Sequence, residues 1–179
     1  MTPAAIETSR LTLVPLTIDI LEAFASDDRA RAAALLGAAI PSWPEDIRAF
    51  QLRLDRLLVE PELTEWFVRA IVDREVGEVV GHIGCHDRPG ADYLDRWAPG
   101  GVEFGYTVFP PYRRRRIAAE ALAGMLGWAR SEGVTRFVLS IAPGNEPSNA
   151  LARRAGFAVV GSVEDPDDGL EAVWVLDES

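Results

Sequence analysis

The sequence predicts a mixed α/β fold in which helices cover both faces of a mixed sheet. Three features predict it. Between Val102 and Trp128, strand character gives way to a helical apolar period across a short basic loop. From Trp66 to His86 the pattern alternates with a period of two about a turn containing Gly77. The full order is strand, two or three helices, three strands, helix, strand, helix and two strands, so hairpins mix with helical crossovers.

The first expected strand is Arg10 to Pro15, with Leu11, Leu13 and Pro15 opposite Thr12 and Val14. Thr17 reads as the N-cap of a short helix whose apolar face is Ile18, Leu21, Phe24 and Ala25. Asp28 is placed to cap a second helix that carries Leu35 and Leu36 near its end and stops at Gly37. Ser42-Trp43-Pro44-Glu45 fits a capping box, followed at helical spacing by Ile47, Phe50, Leu54, Leu57 and Leu58, with Pro61 as the stop. Trp66 to Asp73 then reads as a strand with Trp66, Val68, Ala70 and Val72 on one face. Arg74 to Glu78 is its hairpin turn. Val79 to His86 is the return strand, where Gly81 and Gly84 suggest close backbone approach. Asp87 to Gly101 is as long as a loop without regular structure usually gets, which makes it a candidate border of a substrate site.

Val102 to Phe109 is rich in β-branched and aromatic residues, and Pro110 and Pro111 end the strand because proline has no N–H for a ladder. From Ile117, the residues Ile117, Ala121, Leu122, Met125, Leu126 and Ala129 share one helical face. Arg136 to Ile141 is another strand, Asn145 to Ala155 a short helix ended by Gly156, and Phe157 to Val163 and Glu171 to Leu176 the last two strands. Asp165-Pro166-Asp167-Asp168-Gly169 is the turn between them.

The loop before the Ile117 helix poses an electrostatic problem. A helix N-terminus carries unpaired N–H groups and about half a positive charge, so cations there are unfavourable. Arg113, Arg114, Arg115 and Arg116 nevertheless stand there together. An anion on the helix N-terminus turns the conflict into a complementary site. The structural alternative is four side chains splayed into water.

The length of 179 residues fits one domain, and a hydrophobic content of 48% supplies a sizeable core. No apolar run approaches the roughly 18 residues that span a membrane. The start, Met-Thr-Pro-Ala-Ala-Ile-Glu, lacks the basic and apolar regions of a signal peptide, so a cytoplasmic location is expected. One cysteine, Cys85, excludes an internal disulfide and a cysteine metal cluster. The formal net charge of −10 argues against general affinity for nucleic acid or anionic membrane. All 18 basic residues are arginine.

The element order and four local signatures resemble the GCN5-related N-acetyltransferase (GNAT) superfamily, and within it the RimJ/RimL-like ribosomal-protein acetyltransferases. The signatures are Thr8-Ser9-Arg10-Leu11-Thr12-Leu13-Val14-Pro15-Leu16, Gly77-Glu78-Val79-Val80-Gly81-His82-Ile83-Gly84, Glu103-Phe104-Gly105-Tyr106, and Asn145-Glu146-Pro147-Ser148 with Leu151 and Gly156-Phe157. The resemblance covers nearly the whole chain. It implies a single GNAT domain over residues 1–179, with a mixed, mostly antiparallel central sheet flanked by helices. It also implies acetyl-coenzyme A as cosubstrate, with no metal. The family's pyrophosphate loop, Arg/Gln-x-x-Gly-x-Gly/Ala, falls on Arg113, Arg114, Arg115, Arg116, Ile117 and Ala118. Arg113 and Ala118 fit, whereas Arg116 stands where the family carries glycine. If that position needs φ > 0, a side chain there costs roughly 1–2 kcal/mol. The guanidinium then either blocks the phosphate or grips it as a fork.

Acetyl transfer to an amine by direct attack in a ternary complex needs a group that takes the amine proton, a donor for the oxyanion and a proton for the leaving thiolate. By resemblance, Glu103 is the candidate base, with a structural ion pair as its alternative role. Ser148 is the candidate hydroxyl near the coenzyme sulfur, with helix-start hydrogen bonding as its alternative. The resemblance further implies that Asn145 neighbours the cofactor and that backbone groups of Thr107, Val108 and Phe109 bind the pantetheine arm. His82 and His86 share a strand face by parity and read as structural, and Cys85 reads as a buried inert thiol. Trp43, Trp66 and Trp97 read as core or loop anchors, Trp97 being the one to compare with a substrate pocket.

The leading expectation is an N-acetyltransferase acting on a peptide N-terminus or an amine-bearing small molecule. A non-catalytic acyl-coenzyme A binder is the second. A nucleic-acid module using the arginine run is the third, and the charge counts against it. A weakly paired edge strand allows a homodimer without requiring one.

Overall fold

A computed structural model describes residues 3–41, 47–166 and 169–179. Its eight strands are β1 (Ile6–Glu7), β2 (Leu11–Pro15), β3 (Arg69–Asp73), β4 (Glu78–Cys85), β5 (Val102–Val108), β6 (Arg136–Ile141), β7 (Ala158–Asp165) and β8 (Gly169–Asp177). The helices are α1 (Ile18–Ala25), α2 (Arg29–Leu36), α3 (Ile47–Val59), α4 (Ile117–Ser131) and α5 (Glu146–Arg154). The strands form one sheet of order β1-β2-β3-β4-β5-β6-β8-β7. The pair β5 and β6 is parallel, whereas β1–β2, β2–β3, β3–β4, β6–β8 and β7–β8 are antiparallel. The chain divides into two compact units, Met1–Gly84 with Tyr106–Gly124 and Cys85–Gly105 with Met125–Ser179.

In the first unit, β2 buries Leu11, Leu13 and Pro15 and leaves Thr12 and Val14 half-buried, the alternation the sequence shows. Thr17 occupies the N-cap of α1, but its side chain makes no capping bond there. Asp28 does cap α2, accepting from the Arg31 N–H at 3.0 Å, and Gly37 ends that helix at φ 65°. Phe50, Leu54 and Leu57 of α3 are buried with Leu21 and Phe24 of α1 in one cluster. Leu58, expected on that face, is 60% exposed. Ser42-Trp43-Pro44-Glu45, with its expected capping box, lies outside the described residues, as do Asp167 and Asp168 of the last turn.

The strand expected from Trp66 begins later. Pro61–Glu65 form a 3-10 turn that Trp66 caps, so β3 starts at Arg69 and is buried on both faces. Its hairpin with β4 turns at Gly77, φ 69°, and carries a bulge between Ile71 and Val72. The two β4 glycines admit backbone where a side chain would stand. A Cβ at Gly84 would meet Val68 Cα at 2.5 Å and Phe67 O at 2.6 Å, and one at Gly81 would meet Thr107 O. His82 lies in β4 edge-on to Phe50 and Phe109, with ring centroids 6.3 and 6.4 Å away. Burial is the larger cause, and the charge of Arg53 the smaller, that lowers its pKa to about 4.

In the second unit, the long loop is partly ordered by a 3-10 turn at Asp92–Leu94 that buries Leu94 and Ala98 beside Val138, Val173 and Val175. Trp97 fills the space a Cβ would need at Gly161, where β7 bulges against β8. The Arg96 guanidinium lies 4.5 Å from the Trp97 ring centroid. The aromatic ring is thus a loop anchor. Cys85 is buried and outside any disulfide. All six residues of the expected α4 face, from Ile117 to Ala129, are at most 5% exposed. Among the described residues, no helix is long and apolar enough to cross a membrane.

Candidate active site

The site residues expected from the sequence fall into two groups, one in each unit. In the first unit, β5 ends at Val108, a 3-10 turn follows at Pro110–Tyr112, and the arginine loop leads into α4. Arg113 is extended, at φ −62° and ψ 161°. Arg114 and Arg116 adopt φ 66° and 62°, with Arg115 at negative φ between them. Alternating signs of φ turn neighbouring N–H groups towards one concavity, an anion-binding arrangement. Each left-handed arginine costs roughly 1–2 kcal/mol against an ordinary conformation. The glycine position at Arg116 therefore does require φ > 0. Arg114 shares that requirement, which no signature in the sequence marks.

All four arginines are exposed. Arg113 turns back to donate from Nε to Val108 O at 2.9 Å. Arg115 lies 5.7 Å from the Tyr112 ring centroid. The Tyr112 hydroxyl donates to Glu78 at 2.6 Å, which fastens the 3-10 turn to β4. Thr107 is exposed, and Val108 and Phe109 are half-buried. The Phe109 N–H donates to Val80 O at 2.9 Å, so this group of the expected pantetheine segment already has a partner. Ile117 is buried as the first residue of α4, and Ala118 is half-buried.

In the second unit, Glu103 pairs in register with Val138 across the parallel β5–β6 ladder. Side chains two apart share a strand face, so Ser140 falls on the Glu103 face and donates to its Oε1 at 2.5 Å. The His86 N–H donates to Glu103 O at 3.0 Å, and His86 Nδ1 lies 3.4 Å from Glu103 Oε2. Tyr93, from the 3-10 turn of the long loop, stands close enough to the same carboxylate to help lower its pKa. Gly105 makes room for the imidazole, since a Cβ there would stand 2.6 Å from His86 Nε2.

The Glu103 side chain is 6% exposed and that of His86 52%. Burial pushes the Glu103 carboxyl up. Hydrogen bonding and charge from His86, with hydrogen bonds from Ser140 and Tyr93, outweigh burial and hold it below the usual carboxylate value. Tyr93 is half exposed, yet desolvation of the phenol, then the Glu103 charge and hydrogen bond, push its ionisation well above the usual tyrosine range. A carboxyl lowered by the fold stabilises it above the unfolded value near 4.5, and that contribution is lost as pH falls through the folded value. Urea unfolding at pH 7 and pH 4 should therefore show a larger acid loss for the native protein than for Glu103→Gln. Equal losses would mean that the cluster adds nothing to stability.

Asn145 caps α5 by accepting from the Ser148 N–H at 3.3 Å, and Ser148 is half-buried in the first turn. Buried Asn149 donates to Ala142 O and Pro143 O at 3.2 Å each and so fixes the chain ahead of α5. His86, Tyr93, Ser140 and Asn149 were not among the expected site residues. Strand parity alone could not pair His86 with Glu103, because the neighbouring strand and its register are set by the fold. Among the described residues, no group of three or more His, Cys, Asp and Glu side chains could hold a metal ion.

A family model of the acetyltransferase (GNAT) domain matches residues 10–158. The chain belongs to the GNAT family. A GNAT fold is also what solved structures share with it. A Bordetella pertussis protein assigned to the GNAT acetyltransferases is 24% identical, with a TM-score of 0.70 over 97% of this chain and 99% of that one. Mycobacterium smegmatis RimJ, in complex with a coenzyme A disulfide, is 18% identical, with a TM-score of 0.68 over 98% and 88%. A RimL ribosomal L7/L12 α-N-protein acetyltransferase, in complex with coenzyme A, is 16% identical, with a TM-score of 0.65 over 97% and 98%. A comparison with curated proteins found no match.

Proposed function

We propose that this GNAT protein is an acetyl-coenzyme A-dependent N-acetyltransferase of the RimJ/RimL-like kind, residues 1–179 making one GNAT domain. The observation that carries the reading is the alternating backbone of Arg113 to Arg116 at the start of α4. Strained residues persist where function or surroundings demand them, and here alternating φ turns backbone N–H groups towards one concavity beside four exposed arginines, a setting for an anionic ligand. The pyrophosphate of coenzyme A is that ligand, bound by Arg113, Arg114, Arg115, Arg116, Ile117 and Ala118. The family resemblance assigns the pantetheine arm to backbone groups of Thr107, Val108 and Phe109, of which the Phe109 N–H would have to leave Val80 O, and it assigns Asn145 and Ser148 to the cofactor, Ser148 supporting the departing thiolate. The acceptor is the amine of a peptide N-terminus or of a small molecule.

In this reading Glu103 works through His86. Its carboxylate is too buried to meet an amine, whereas the imidazole is half exposed. Glu103 lies 3.4 Å from Nδ1 and orients the imidazole, and His86 takes the amine proton. A non-catalytic acyl-coenzyme A binder is the second reading. The depressed Glu103 pKa favours it, because a carboxylate held that low is a weak base on its own.

Calorimetric titration with acetyl-coenzyme A, followed by a thiol-release assay across peptide and small-molecule amines, tests both. Binding near one equivalent with amine-dependent thiol release is expected. Binding without release on any amine favours the second reading, and no binding at millimolar ligand overturns both.

A further inference from the structure

Arg114 and Arg116 need something to hold them in left-handed backbone. The holding group comes from 105 residues earlier in the chain. Arg10 Nη2 donates to Arg115 O at 3.1 Å, the carbonyl between the two strained residues. A trans peptide is planar, with its C=O and N–H pointing opposite ways. Fixing the Arg115 oxygen therefore aims the Arg116 N–H in the other direction. We propose that Arg10 is a positioning residue for the arginine loop: by holding the Arg115 carbonyl, it aims the Arg116 N–H at the pyrophosphate of coenzyme A. This rests on the coenzyme A reading of that loop.

Arg10 is itself fixed from both sides. Its Nε donates to Glu120 Oε2 at 2.8 Å and its backbone N–H to Glu120 Oε1 at 2.6 Å. Thr8 Oγ1 donates to the same Oε1 at 2.7 Å. Glu120 stands in the first turn of α4, so one carboxylate joins the turn before β2 to the helix that follows the loop. Arg74 holds that turn from behind, donating to Thr8 O, Ser9 O and Leu11 O at 2.7, 2.8 and 2.6 Å. Gly124 lets the turn close on α4, because a Cβ there would meet Thr8 Cγ2 at 2.7 Å. The guanidinium is thus oriented before any ligand arrives, and it acts without touching one.

Lysine cannot copy this fork, since an ammonium lacks the planar geometry that serves Glu120 and the carbonyl together. The test is coenzyme A titration of the full chain for the native protein, Arg10→Met, Arg10→Lys, Arg116→Gly and the Arg10→Met/Arg116→Gly pair, with a melting curve for each. Arg10→Met should weaken coenzyme A about tenfold, the scale of one charge-assisted hydrogen bond. Arg10→Lys should recover little of that loss, and it carries the comparison if Arg10→Met does not fold. Glycine adopts positive φ freely, so in the Arg116→Gly background Arg10→Met should weaken binding less than about threefold. Unchanged affinity in Arg10→Met beside a binding native protein would overturn the proposal and leave a surface ion pair. So would an equal loss in both backgrounds, which would mean that Arg10 acts by charge alone. A native protein that does not bind coenzyme A would overturn the loop reading first and this proposal with it.

Discussion

Glu103→Gln should lower kcat for amine acetylation about 100-fold, and His86→Ala by a similar factor, the range expected for removal of a positioned proton acceptor. The double variant should be little worse than either single one, because two residues that act as a unit lose their function once. Coenzyme A affinity should stay within about twofold, since neither residue belongs to the arginine loop. The physical basis is the division of labour between them. Glu103 is buried, accepts from Ser140 and lies beside His86, while His86 is the exposed end of the pair. If Glu103→Gln raised KM with kcat intact, the cluster would be structural and the base would lie elsewhere.

Arg116→Gly and Arg114→Gly should move stability and affinity in opposite directions. Removing a side chain from left-handed backbone relieves roughly 1–2 kcal/mol of strain, partly offset by the greater freedom of glycine in the unfolded chain. Each variant should therefore melt at or slightly above the native temperature. Coenzyme A affinity should nevertheless fall about tenfold or more, because a charged donor to phosphate contributes roughly 1.5–3 kcal/mol. A glycine variant that bound as tightly as the native protein would show the arginine to be a tolerated intrusion. That result would leave the backbone N–H groups as the whole of the site.

Much of this geometry was legible in the chain. The α4 face is legible because six apolar residues at helical spacing are all buried. The ends of α2 follow from Asp28 and Gly37, whose capping and left-handed backbone are local chemistry. The α/β order and the close approach at Gly81 and Gly84 follow from period and residue type. What escaped was non-local. β1 is two residues long, too short for a periodic signal. Trp66 fits a strand by alternation, but a proline-led 3-10 turn claims it. Leu58 fits the helical period of α3 and yet faces solvent. In the site, Ser140 and Tyr93 reach Glu103 through strand register and loop closure, neither of which local sequence encodes. The glycine missing from the arginine loop marked one left-handed residue, and the loop contains two.

The bond from Arg10 to Glu120 spans 110 residues. Contacts that far apart in sequence form late, because the loop between them must close before they stabilise anything. If Arg10 positions the arginine loop, as proposed, the loop should take its ligand-ready shape after its own helix has formed. A partly folded chain could carry a formed α4 and still leave coenzyme A unrecognised. Ligand binding would then favour the completed molecule alone, by RT ln(1 + [L]/Kd), and draw the earliest strands and the central helix into one cooperative transition.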